Sequence, residues 1–168
     1  MQDIIMNRRS TRKFEDRPVE HEKLEAIVRG AMQAPTAKNT QCWEFMVVTE
    51  PESKAAISKM SPFAMCAENA PALIIPMVNF DRVDSADIWW VEDLSAASMT
   101  VIYMAESLGL GATWLGMYPL EERTTKMREY FELPDNIMPF AVIPVGYKQR
   151  VKEFEDRFDA AKLHWERF

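Results

Sequence analysis

The chain has 168 residues, with 20 Lys and Arg against 26 Asp and Glu for a formal net charge of -6. That length suits one domain able to bury roughly 70% of its unfolded surface, and the acidity disfavours nucleic acid or an anionic membrane as partner. Hydrophobic residues make up 48%, including 12 Met, 9 Phe and 5 Trp, an excess that points to a subunit interface, a flat aromatic ligand, or both.

Asp3 to Arg9 reads as a short helix with Ile4 and Ile5 inward, and Arg8-Arg9-Ser10-Thr11-Arg12-Lys13-Phe14 follows. Four cations and two hydroxyls cluster there in an acidic chain, which suits one localised phosphate: guanidinium forks match its oxygens. Pro18 to Gln33 forms a second helix, with Leu24, Ile27, Val28, Ala31 and Met32 on a core-facing stripe. Pro35 stops that helix, and Ala34 to Gln41 is a polar loop suited to a ligand's edge.

Trp43 to Thr49 reads as a strand, Pro51 to Met60 as a helix and Phe63 to Glu68 as a shorter one. Ala72 to Phe80 is apolar on both faces and therefore a central strand. Ile88 to Leu110 is the longest helical stretch, apolar nearly all round, with a second subunit as the source of the extra cover. An extended run from Ala112 to Met117, a helix from Leu120 to Phe131 and a strand from Phe140 to Tyr147 complete the body. The tail, 148–168, is charged yet keeps Phe154, Phe158, Leu163, Trp165 and Phe168, the pattern of an arm laid over a partner.

Several classes are disfavoured. Cys42 and Cys66 form no CxxC pair and read as free thiols, so no metal is expected. Neither a leader pattern at Met1 to Ile4 nor an apolar run of about 20 residues is present, and the expectation is a soluble cytoplasmic protein. His21 and His164 sit among charged neighbours as surface histidines. Glu92 and Asp93, adjacent on a helix, diverge and make no acid–base pair. Trp114 on its own reads as a core aromatic.

Five strings, spread in order along the chain, resemble the short form of the FMN-dependent nitroreductase family. They are Arg8 to Phe14, Ala34-Pro35-Thr36 with Asn39-Thr40-Gln41-Cys42-Trp43, Gly109 to Gly116, Pro144-Val145-Gly146-Tyr147, and Asp156-Arg157-Phe158-Asp159. The resemblance implies an α+β nitroreductase-like fold with a mixed sheet flanked by helices. It also implies an intertwined homodimer that exchanges C-terminal arms and holds FMN at its interface. Arg8, Arg9, Ser10 and Arg157 would hold the phosphate and ribityl side, and Arg12 would lie toward the pyrimidine. Pro35, Thr36 and Asn39 would reach the flavin of the other subunit, while Trp114, Leu115 and Gly116 would run beside the ring. Two positions depart from the family pattern: Cys42 replaces a usual proline, and Glu155 stands where longer members carry a second basic ligand.

The implied activity is NAD(P)H oxidation by a ping-pong hydride mechanism, with a nitroaromatic, quinone or similar small molecule as electron acceptor. No dedicated catalytic side chain is required, because the cofactor carries the chemistry. Specialised flavin chemistry of the same superfamily, such as reductive dehalogenation or flavin breakdown, and a non-catalytic FMN-binding module are the alternatives.

Overall fold

A computed structural model describes residues 2–84 and 88–168. At its centre lies β2 (Ala72–Asn79), buried on both faces over its first seven residues. β1 (Trp43–Val48) pairs along one edge of it, while β5 (Ile137–Pro139) and β6 (Ala141–Tyr147) share the other. β3 (Leu110–Ala112) and β4 (Leu115–Gly116) both lie on the far side of β6, giving the order β1-β2-β6-β3. Every ladder between these strands is antiparallel, so the mixed character is confined to one parallel bridge, Ser10 with Ala112.

Two prolines lie inside the central strands, where a missing N–H usually rules proline out. Pro76 falls between the β6 pairing at residues 72–74 and the β5 pairing at 77–79, and its carbonyl still accepts from Phe140 N–H at 2.9 Å. Pro144 falls likewise between the stretches of β6 that pair with β4 and β3. Each proline sits where one neighbour hands over to the next and no donor is required.

The side chains of β2 alternate between two layers, as the two-residue period of a strand demands. Leu73, Ile75 and Met77 pack with Ile57 of α3 (Pro51–Lys59) and Met127 of α5 (Glu121–Tyr130). Ala72 and Ile74 pack with Leu24 and Ile27 of α2 (His21–Ala31) and with Val101 and Ala105 of α4 (Trp90–Ser107). Gly30 lets α2 close on α4, because a Cβ there would lie 2.5 Å from Met104 Cγ.

Boundaries differ from the sequence reading for identifiable reasons. α2 begins at His21 and not Pro18: Glu20 bends its carboxylate to Tyr147 and Lys23 without capping the helix. The extended run Ala112 to Met117 splits into β3 and β4, and 63–68 yields only a single 3₁₀ turn, Met65–Ala67. α4 shows one fully buried face, with Leu94, Ala97, Val101 and Ala105, whereas Ala96, Met99 and Tyr103 are half-buried. α1 (Gln2–Asn7) turns Ile5 outward rather than inward, at 49% exposure, and leaves Met6 exposed as well. From Gln149 to Phe168 every residue is exposed.

Candidate active site

The arginine-bearing segment is fixed by its backbone. Thr11 N–H donates to the Ala112 carbonyl of β3 at 2.9 Å, and Glu15 N–H to the Tyr147 carbonyl of β6 at 2.9 Å. Two glycines clear its path. At Gly111 a Cβ would meet Lys148 Cγ at 2.6 Å and collide with Thr11; at Gly146 it would meet Pro71 Cδ at 2.5 Å and Phe14 Cδ1 at 2.9 Å. Close backbone approach is why glycine occupies these strand positions.

Held this way, Arg8, Ser10 and Arg12 join Lys152 and Arg157 of the tail around a cavity of about 280 Å³. Arg9 also lines it, but its guanidinium is committed to the carbonyls of Met6 and Arg8 (2.9 Å each) and Glu155 (3.1 Å). It clamps the tail to the N-terminal segment, aided by Lys152 Nζ on the Ser10 carbonyl at 3.3 Å. The side chains of Arg8 and Arg12 make no hydrogen bond or ion pair with a described residue. The carboxylate of Glu155 lies 3.8 Å from Arg157, so it offsets part of the positive charge there.

Arg12 is shared with a second cavity of about 730 Å³, which Trp114, Leu115 and Gly116 line together with Phe63, Met65 and Arg123. Trp114 is half-buried and packs edge-on against Phe140 at 5.7 Å between ring centroids. Gly116 leaves the space beside it open: an added Cβ would meet nothing nearer than the Tyr118 carbonyl at 3.9 Å. Cys66 lines the cavity as well, and its thiol is shifted upward by burial, against the opposing pull of Arg12. A slot walled by Trp114, Leu115, Phe63 and Met65, with cations at its edge and joined through one arginine to a basic pocket, suits an aromatic group carrying a phosphate tail. A third cavity, about 770 Å³, adjoins at Arg12 and mixes both signs of charge, with Glu15, Asp16 and Glu68 beside Lys13, Arg17 and Lys54.

The polar loop lies elsewhere in this chain. None of Pro35, Thr36 and Asn39 lines the slot or the basic pocket. Lys38, Asn39 and Gln41 all have positive φ, between 48° and 57°, a left-handed run that side chains adopt only when the surroundings impose it. Buried Asp93 does so from the first turn of α4: Oδ1 accepts from Ala37 N–H at 2.8 Å and Oδ2 from Thr40 Oγ1 at 3.3 Å. Thr36 Oγ1 accepts from Gln41 N–H at 3.2 Å.

Residues 5–147 match the model of the Nitroreductase family. The chain belongs to the nitroreductase family. A protein of Methanothermobacter thermautotrophicus, provisionally named NADH dehydrogenase/NAD(P)H nitroreductase, is 37% identical over 99% of this chain and 86% of its own length. The crystal structure of a provisionally named NADH oxidase from Clostridium acetobutylicum is similar with a TM-score of 0.94, at 41% identity, covering 99% and 100% of the two chains. A structure of an FMN-dependent nitroreductase from Clostridium difficile matches with a TM-score of 0.92, at 28% identity, over the whole of both chains.

Within this nitroreductase fold, the glycine-containing motifs have a structural reason to occur together: Gly111 and Gly146 are the seats on which the arginine motif lies. Tyr147, closing the fourth motif, donates to Glu20 at 2.7 Å, accepts from Lys23 at 2.7 Å and lies under Arg17, 3.8 Å from its ring centroid. The Tyr147 hydroxyl, ahead of Lys23 and Arg17, holds the Glu20 carboxyl down at about 2. Sequence reasoning missed Asp93, although an acid in register with Ala97 and Val101 on the buried face of a helix is a legible signal. It also missed Arg123, for which no periodicity exists, since α5 is polar along most of its length.

Proposed function

We propose that the chain is an FMN-dependent NAD(P)H oxidoreductase that works as a homodimer and passes electrons to nitroaromatics, quinones or similar acceptors in a ping-pong order. The observation that carries the reading is the junction at Arg12, where a slot lined by no described carboxylate meets a pocket lined by five cations against two carboxylates, Glu153 and Glu155, in an otherwise acidic protein. FMN, on which the C. difficile nitroreductase depends, has the matching shape: a planar ring and a phosphate. When bound, FMN supplies two-electron chemistry, with a hydride taken from the nicotinamide and given on to the acceptor.

The residues of this chain divide the remaining work. Arg8, Ser10 and Arg157 offer charged and neutral donors to the phosphate, while Arg9 holds the arm against them. Arg12 sets a positive charge at the pyrimidine end and favours the negative charge gained on reduction. Trp114, Leu115 and Gly116 wall the slot, position the ring and exclude water from one side. Pro35, Thr36 and Asn39, held by Asp93, complete the slot of the second copy, and residues 148–168 pack on that copy. The exposed Phe158, Trp165 and Phe168, at 70%, 78% and 107%, support this, because one chain leaves them uncovered.

The purified protein tests the reading directly. It is expected to be yellow, to run as a dimer, to release FMN on denaturation, and to bleach anaerobically with NADH or NADPH until a quinone or nitroaromatic restores the colour. A colourless protein rejects flavin binding; a yellow one that no nicotinamide bleaches leaves only a binding module.

A further inference from the structure

The slot carries a positive charge that the phosphate pocket does not use. Arg12 lines both cavities, whereas Arg123 lines the slot alone. Half-buried at the first turn of α5, Arg123 spends one donor, Nη1, on the Gly116 carbonyl at 2.9 Å. A guanidinium has five, and the others have no partner among the described residues. The neighbouring carboxylate, Glu122, forms its ion pair with Lys126 at 2.6 Å, and Arg123 adds only a weaker electrostatic pull on it, with no hydrogen bond. Among the described residues no Asp or Glu lines the slot, where Arg12 and Lys13 add two further cations. Phe63, 74% exposed, stands with its ring centroid 6.0 Å from Arg123 Cζ, and Met65 is 73% exposed beside it.

This combination, a guanidinium anchored at the wall with spare donors and exposed apolar side chains beside it, suits a planar ring bearing an acidic substituent. We infer that Arg123 selects the electron acceptor: the preferred class is aromatic compounds carrying a carboxylate or sulfonate, whose anion pairs with Arg123 while the ring lies against Phe63 and Met65. The bond from Nη1 to the Gly116 carbonyl orients the fork, so the interaction costs little ordering on binding. The inference rests on the proposed oxidoreductase reading for the word acceptor, but binding at Arg123 stands apart from turnover.

The test uses 4-nitrobenzoate and its methyl ester, which share ring and nitro group and differ in charge. Dissociation constants are measured by calorimetry on the protein as purified, and KM values with NADH held saturating. The wild type is expected to bind 4-nitrobenzoate the more tightly. Arg123→Gln is expected to weaken 4-nitrobenzoate about tenfold while moving the ester by under about twofold, and Arg123→Lys to keep part of the preference. Flavin content and Tm of both variants show whether the loss is local, and the wild-type preference needs no variant at all. Equal binding of acid and ester by the wild type, equal loss of both in Arg123→Gln, or a change confined to the KM for NADH overturns the inference. A charge-dependent preference without turnover upholds it and rejects only the oxidoreductase reading; turnover without preference does the reverse.

Discussion

The two ends of the chain carry similar chemistry and are held in opposite ways. Residues 8–15 are rich in cations yet stitched to β3 and β6 by backbone hydrogen bonds, with two glycines giving way beneath them. Residues 149–168 are as rich in charge, contain Phe154, Phe158, Trp165 and Phe168, and are exposed throughout. The first end is positioned by contacts inside one chain, so the backbone that carries its arginines is fixed before any ligand binds and only their side chains remain to be ordered. The second touches the body chiefly through Arg9, Lys13 and Ser10, and its apolar side chains are left uncovered within one chain. The basic pocket draws on both ends of one chain, one seated by backbone hydrogen bonds and the other exposed.

That contrast can be broken most sharply by removing residues 149–168. The truncated chain is expected to keep its helical and sheet circular dichroism, to run as a monomer in sedimentation, and to lose FMN entirely. A truncated dimer that stays yellow would put the arm outside the site. Gly146→Val attacks the other end: its side chain must displace Pro71 and Phe14 from under the arginine segment. A loss of about 3 kcal/mol, or roughly 10 °C in Tm, is expected by thermal denaturation.

The same substitution at Gly116 separates fold from site. Open space faces that position, and a β-branched residue suits a strand. Gly116→Val should therefore change stability by under about 1 kcal/mol while weakening FMN about tenfold or more, read by equilibrium dialysis. The smallest effect belongs to Tyr147→Phe, which deprives Glu20 of its main donor. Because the Glu20 carboxyl is lowered from 4.5 to about 2 in the folded chain, its stabilisation is present above about pH 4.5 and is lost as pH falls toward 2. The Tm gap between wild type and Tyr147→Phe should accordingly be widest at neutral pH and close on acidification.

Much of the framework was legible because its signals are local. The stripe Leu24, Ile27 and Ala31 on α2 and the unbroken apolar run of β2 each place a buried face by spacing alone. The elements that spacing concealed are short or conditional. β5 has three residues and exists because β2 offers it an edge beyond Pro76. Ile5 faces outward because no described residue covers α1 on that side, and Glu20 leaves the helix start for Tyr147, 127 residues away.

The amino-acid order by itself determined which side chains could bind an anion, which helices and strands would bury an apolar face, and to which family the five motifs belong, since these depend on residue type and spacing along the backbone. The tertiary structure alone decided that Arg12 joins two cavities, that Arg9 is spent on carbonyls, that Asp93 holds the strained loop, and that Arg123 keeps donors to spare. Those outcomes depend on distances in three dimensions, several of them between groups remote in the chain, which residue type and spacing along the backbone do not fix.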